Sequence, residues 1–232
     1  EIIAYINSDD LLLPGTVPVT LDAFAQHPDY ALVYGDCIHI DSRGAPISSA
    51  HAGAPFDLEQ VLRGRVFVPQ QTVFWRRKVS DRIGLFDESL HFLMDVDYWL
   101  RAAAAGFSLL YVPGVRAAYR LHNDSKTVSR VEDFWRDWDK MITKFFALPD
   151  LPPEMASLRP VTRKTYWWMY TLRAAWVQGG RAELRPLLRR IMLGPVPNSH
   201  RALAGMMLLD TYLHTSLSDT ALERLQRAKA TR

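Results

Sequence analysis

Residues 2–6 (Ile-Ile-Ala-Tyr-Ile) form an unbroken apolar run that stops at Asn7, Ser8, Asp9 and Asp10. A run without polar alternation is the pattern of a strand buried on both faces, and such a strand requires neighbouring strands and covering helices. Beyond the C-terminal end of such a strand lies the crevice where open α/β sheets bind ligands. Adjacent carboxylates there offer hard oxygen atoms suited to Mg²⁺ or Mn²⁺, which keep waters and take further oxygens from substrate phosphates. The plainer alternative for Asp9 and Asp10 is a turn or a helix cap.

Downstream, strands and helices alternate. Pro14 suits a first helical turn, and Val17, Leu21, Phe24 and Ala25 recur at helical spacing up to the stop at His27-Pro28. Residues 30–47 read as a strand or hairpin turning at Ser42-Arg43-Gly44, and 56–64 as a short helix. Residues 66–77 read as a strand with Pro69 at its edge, 97–107 as a helix closed by Gly106, and 108–122 as strand, turn and strand. This alternation predicts an α/β fold for residues 1–128. From residue 129 the pattern changes. Val131, Phe134, Trp138, Met141, Ile142 and Phe145 mark a strongly amphipathic helix, and further helical stretches follow, so 129–232 is expected to be all-α. Trp135, Trp138, Trp167, Trp168 and Trp176 are read there as core.

Composition narrows the function. A chain of 232 residues that is 48% apolar can bury a sizeable core. Its 28 Lys and Arg against 25 Asp and Glu argue against a dedicated nucleic-acid binder. Part of the small basic excess, at Arg185, Arg189 and Arg190 around Leu187 and Leu188, suits weak peripheral contact with anionic lipid or a protein partner. Cys37 alone forms no internal disulfide and no multi-cysteine zinc site, which makes a reducing, cytoplasmic setting the expectation. Residues 202–217 are interrupted by Asp210 and His214 before they could span a bilayer.

Two further stretches carry chemistry. Asp95 and Asp97 are two apart, so on a helix they point about 200° away from each other. Arg101 lies four residues after Asp97, a favourable pair on a helix surface. Asp95 is left without a helical partner near the helix start, where the macrodipole favours its ionised form and a role in accepting a proton from an alcohol. At the end of the last strand, alternation puts Arg120 and His122 on one face, where a cation suits phosphate and an imidazole suits a metal. Lys126 is a second candidate for phosphate charge.

In this order, the stretches AYINSDDLLLPGT, QQTVFWRRKVSDRIGLFDESLHFLMDVDYWLRAAAAG and YRLHNDSKT resemble the family 2 glycosyltransferases. These GT-A fold enzymes move a sugar from a nucleotide diphosphate to an acceptor. The likeness covers about residues 1–128 and implies a partial GT-A (Rossmann-like) sheet, with the family's first strand-helix units expected ahead of Glu1. By resemblance, Asp9 holds Mn²⁺ or Mg²⁺, His122 completes the metal shell, and Asp95 is the base of an inverting transfer. Asn7, Asp10 and Arg120 fall on the donor side, and Gln70, Gln71 and Trp99 on the acceptor side. The implied partners are a nucleotide-diphospho-sugar donor and a glycan or lipid-linked acceptor, with the enzyme peripheral at the inner face of the membrane. Two positions depart from the family pattern: Asn7 stands where many members have Asp, and Met94 where many have Glu. The rival readings are a metal-dependent phosphohydrolase and a non-catalytic helical interaction module.

Overall fold

In the computed structural model of the chain, five strands form one mixed sheet. They are β1 (Ile2–Ala4), β2 (Leu11–Leu12), β3 (Tyr30–Ile40), β4 (Phe74–Arg76) and β5 (Ser108–Arg120), in the spatial order β1-β4-β3-β5-β2. The structure describes residues 1–47, 53–63, 65–121, 131–149, 151–162, 185–193, 204–205 and 208–209. It divides into two compact units, Glu1–Trp168 and Met169–Arg232.

In the first unit the sheet has a parallel centre and antiparallel flanks. β3 and β5 run parallel, while β4 is antiparallel to β1 and β3, and β2 is antiparallel to β5. From Leu32 to Tyr34, past an irregularity at the start of the strand, residues of β3 alternate between two cores, as the pleat requires. Ala31, Leu32 and Tyr34 belong to a cluster with Trp75, Val79, Tyr98 and Trp99, drawn from β4, α3 (Arg77–Ile83) and α4 (Met94–Ala104). Val33 and Phe74 meet Ala23 and Phe24 of α1 (Thr16–Gln26) in a second cluster, and the short α2 (Leu58–Leu62) falls between β3 and β4 in the chain. The chain is therefore α/β, as its alternating pattern predicts.

Several local features differ from the pattern reading. β1 is three residues long, is paired only to β4 among the described residues, and leaves Ala4 and Tyr5 exposed, so it is an edge strand here rather than a doubly buried one. α1 buries Thr16, Thr20, Ala23 and Phe24 and exposes Val17 and Leu21. The Thr16 hydroxyl donates to the Arg116 carbonyl at 2.6 Å, and this anchor turns the threonine edge of the helix toward the sheet. Around Pro69 the chain makes a 3₁₀ turn, Gln70–Thr72, so strand begins only at Phe74. Proline offers no N–H to a ladder, and the Thr72 hydroxyl closes the turn by donating to the Pro69 carbonyl at 2.8 Å.

Residues 108–120 are one bulged strand, not two strands and a turn. Gly114, at φ 119°, takes a backbone conformation that favours glycine, and its N–H donates to Asp36 Oδ2 at 2.7 Å. Asp36 Oδ1 also accepts from Tyr111 Oη at 2.7 Å and from the Gly53 N–H at 2.6 Å. The buried Asp36 carboxylate thus serves three donors from two segments, β5 and the chain at Gly53. Beside it, burial pushes the Cys37 thiol up to about 12, which leaves it an inert apolar side chain.

The amphipathic segment forms α5 (Val131–Phe145), which buries Trp138, Met141, Ile142 and Phe145 within the first unit. A four-residue helix, α6 (Pro153–Ala156), follows. In the second unit, α7 (Arg185–Leu193) buries Leu188 and exposes Arg189. Trp167, Trp168 and Trp176 lie outside the described residues, as do Asp210 and His214. Among the described residues no helix is long and apolar enough to cross a membrane.

The bulge gives a direct test of the β3–β5 pairing. A Cβ at Gly35 would stand 2.6 Å from Arg116 Cγ, 2.9 Å from the Val112 carbonyl oxygen and 3.0 Å from that of Gly114. Two of these neighbours are backbone and cannot swing aside. Gly35→Ala is expected to cost about 1–3 kcal/mol in urea unfolding, the usual penalty of overpacking.

Candidate active site

The loop after β1 is built around one carboxylate. Asp10 is 7% exposed, and its two oxygens accept three hydrogen bonds: Oδ1 from the Arg120 backbone N–H at 2.8 Å, and Oδ2 from Asn7 Nδ2 and Gln71 Nε2, each at 3.0 Å. Asn7 Nδ2 also donates to Gln70 Oε1 at 3.2 Å, and Gln70 Nε2 donates to the Tyr5 carbonyl. Three segments far apart in sequence are thereby joined: residues 5–10, the 3₁₀ turn and the end of β5. Arg120 adds a further tie. Its Nε donates to the Asp9 carbonyl and its Nη1 to the Asp41 carbonyl, both at 2.9 Å.

This network separates two carboxylates that the sequence presents as a pair. Asp10 is inward and saturated with N–H donors, while Asp9 is exposed on the same loop. The donor set therefore fits a divalent cation through Asp9, since Mg²⁺ and Mn²⁺ are held by one or two protein carboxylates together with substrate phosphates. Among the described residues no three His, Cys, Asp or Glu side chains gather as a metal cage. His122, the expected second ligand, and Lys126 lie outside the described residues.

Asp95 stands in the first turn of α4, only partly exposed. Burial pushes its carboxyl up to about 6, against the lowering effect of the Val96 and Asp95 backbone N–H groups. Burial thus outweighs the favourable helix-end field that the sequence suggests. Asp97 also differs from expectation. Its pair with Arg101, Nε to Oδ2 at 2.7 Å, is not a surface pair, because Asp97 is 3% exposed. Burial raises its carboxyl and the Arg101 guanidinium opposes that rise. Arg101 continues outward to the carbonyls of Ile83 and Leu85 at 2.7 and 3.0 Å.

The structure thus brings Asn7, Asp9, Asp10, Gln70, Gln71 and Arg120 together. It redirects three acceptor-side expectations. Gln70 and Gln71 are buried, with side chains hydrogen-bonded to the Asn7–Asp10 loop. Trp99 is 2% exposed, with Trp75 and Tyr98 against its ring, which leaves no face to stack on a sugar. Sequence reasoning missed Asp137, on α5, whose Oδ2 accepts from the backbone N–H groups of His91 and Phe92 just ahead of α4. The available signal was an acidic residue bordering the apolar stripe of an amphipathic helix, which by itself does not tell a packing edge from a solvated one.

The model of the family described as glycosyltransferase-like family 2 matches residues 1–179. No curated protein matches the chain.

Two stability predictions follow from the carboxylates. Asp10→Ala strands three buried or half-buried donors and is expected to cost about 2–4 kcal/mol, whereas Asp9→Ala costs no more than about 1 kcal/mol; urea unfolding of both variants checks this. For Asp95 the folded state retains a proton that the unfolded chain releases, since the carboxyl moves from 3.8 to about 6 on folding. Stability contributed by the protonated form is therefore lost as pH rises between those values. Asp95→Asn is expected to stabilise the protein on the order of 2 kcal/mol at pH 7 and to have little effect near pH 3.5, read by thermal unfolding at both pH values.

Proposed function

This chain belongs to the glycosyltransferase-like family 2, and we propose that it transfers a sugar from a nucleotide-diphosphate donor to an acceptor hydroxyl with inversion at the anomeric carbon. The observation that carries this reading is the contrast between two acidic positions. Asp9 is exposed on a loop fixed by the buried Asp10, and Asp95 is a half-buried carboxylate that burial pushes up to about 6. The first suits a diphosphate-bound cation and the second suits a base.

Asp95 accepts the proton of the acceptor hydroxyl as the acceptor oxygen attacks the anomeric carbon. The new carbon–oxygen bond forms on the face opposite the breaking bond to the diphosphate oxygen, and the nucleoside diphosphate leaves with that electron pair. A pKa of about 6 keeps Asp95 mainly ionised at neutral pH and still basic enough to share the proton in the transition state. A divalent cation held by Asp9, with His122 as a further ligand, would neutralise charge on the departing diphosphate. Asn7 uses its amide to tie the donor-side loop to Asp10 and Gln70, without adding charge. Arg120 fastens the Asp9 and Asp41 carbonyls, so its first task is to hold the donor loop. Family membership favours this reading over a phosphohydrolase, whose water-orienting constellation no stretch of the sequence suggests. The acceptor is proposed to be a glycan or a lipid-linked saccharide, reached from the cytoplasmic side of a membrane.

The test uses a panel of UDP-, GDP- and dTDP-hexoses with Mn²⁺ and follows nucleoside diphosphate release. Asp95→Asn is expected to lower release by about 10²-fold or more while nucleoside diphosphate affinity stays within about twofold. The wild-type rate should rise with pH to a plateau above about 6. Sustained turnover by Asp95→Asn would remove that residue from the base role.

A further inference from the structure

The segment from Gly84 to Leu93 connects α3 to α4 and delivers the chain to Asp95. α5 grips it along its length in antiparallel register. Lys144 pairs with Asp87 and reaches Ser89 Oγ at 3.2 Å; Lys140 Nζ donates to the Ser89 carbonyl at 3.0 Å. Asp137 Oδ2 then accepts from the N–H groups of His91 and Phe92, the latter at 2.9 Å. These three α5 residues are three and four apart, so they line one edge of the helix. Beside that edge Leu90 and Leu93 are buried, as are Trp138, Met141 and Ile142.

α4 begins without a side-chain cap of its own, because Leu93 occupies the position where Ser, Thr, Asp or Asn would serve its free N–H groups. The carboxylate that meets the backbone just ahead of this helix comes instead from Asp137, which is 9% exposed. On the other side, Arg101 fixes the carbonyls of Ile83 and Leu85. The segment is therefore held from both flanks, and its last fixed point lies three residues before Asp95. Burial would raise the Asp87 carboxyl, but the Lys144 ammonium and the hydroxyl and N–H of Ser89 hold it well below the usual range, as expected of a settled ion pair.

We propose that Asp137 and Lys144 are positioning residues: through the 87–92 backbone they set where α4 starts and hence where the Asp95 carboxylate stands. The role rests on Asp95 acting as the base. It makes α5, the first helix after the α/β pattern ends, a working part of the transferase. A displacement of about 1 Å at a reacting group is enough to lower turnover up to about 10²-fold, so a brace that leaves the fold intact still controls the rate.

The test compares wild type with Asp137→Ala, Asp137→Asn and Lys144→Met in two measurements. In amide hydrogen exchange, Asp137→Ala is expected to speed His91, Phe92 and Val96 at least about tenfold while Leu32 and Ala117 in the sheet keep wild-type rates. Asp137→Asn, which keeps an acceptor oxygen, restores most of the protection. In nucleoside diphosphate release from the same donor panel, kcat of Asp137→Ala falls at least about tenfold, with donor KM within about twofold, and Lys144→Met gives a smaller loss of the same kind. Acceleration that stops at Phe92 and leaves Val96 unchanged overturns the proposal, as does acceleration spread equally through the sheet. So does a kcat equal to wild type, or a donor KM that rises as far as kcat falls. A wild-type protein that releases no nucleoside diphosphate from any donor refutes the transferase reading alone, and Val96 exchange then decides the positioning role.

Discussion

The buried Asp10 carboxylate is the constraint on which the rest of the site depends. Withdrawing a charge from water costs several kcal/mol unless donors replace the lost hydration. Here the replacement comes from Asn7 and Gln71 side chains and from the Arg120 backbone, the last two separated from Asp10 by 61 and 110 residues. The carboxylate is therefore satisfied only when the loop after β1, the 3₁₀ turn and the end of β5 are all in place. These three donors are all amide N–H groups, so the loop draws its order from hydrogen bonds rather than from an ion pair. Adjacent residues of one loop thus have opposite exposures, Asp10 inside the network and Asp9 at the surface.

A second buried carboxylate does similar work in the sheet. Asp36 accepts from Tyr111, Gly53 and Gly114, and so fixes the bulge that lets β5 continue as one strand to Arg120. Without that bulge the register of β3 and β5 would shift, and a one-residue slip turns every later side chain to the other face. The Arg120 N–H would then leave Asp10. The pairing of Ile40 with Arg120 at the far end of the ladder is the structural link from the sheet to the Asn7–Asp10 loop.

Periodicity made the class of fold legible, since the alternating elements of 1–120 and the stripe Trp138, Met141, Ile142 and Phe145 all appear in the structure. The loop at Asn7–Asp10 and the helix at Asp95 stood out as candidates because carboxylates directly follow an apolar run in the one and open an amphipathic helix in the other. What stayed hidden was long-range. Nothing local says that Gln70 and Gln71 turn toward residues 5–10, or that Asp137 reaches a backbone more than forty residues away. The same limit misread Asp97. Its spacing to Arg101 identified the pair, but the burial of that pair depends on the aromatic cluster of Trp75, Tyr98 and Trp99 packed around it.

α4 carries two acids in its first turn, Asp97 buried and Asp95 half-buried, with different surroundings. Both Asp95 and Asp97 are raised by burial, so position in the first turn does not distinguish them. The difference is the partner. Arg101 opposes the rise at Asp97, and its guanidinium passes the benefit on to the Ile83 and Leu85 carbonyls, which makes that carboxylate a strut. Among the described residues, Asp95 has its own N–H and that of Val96 against the burial cost, and its affinity for a proton rises. Such a group destabilises the fold at neutral pH and can persist only where the surrounding structure is over-determined. The supports that supply this rigidity are Arg101 on one flank and α5 on the other, and both act on the chain that leads into Asp95.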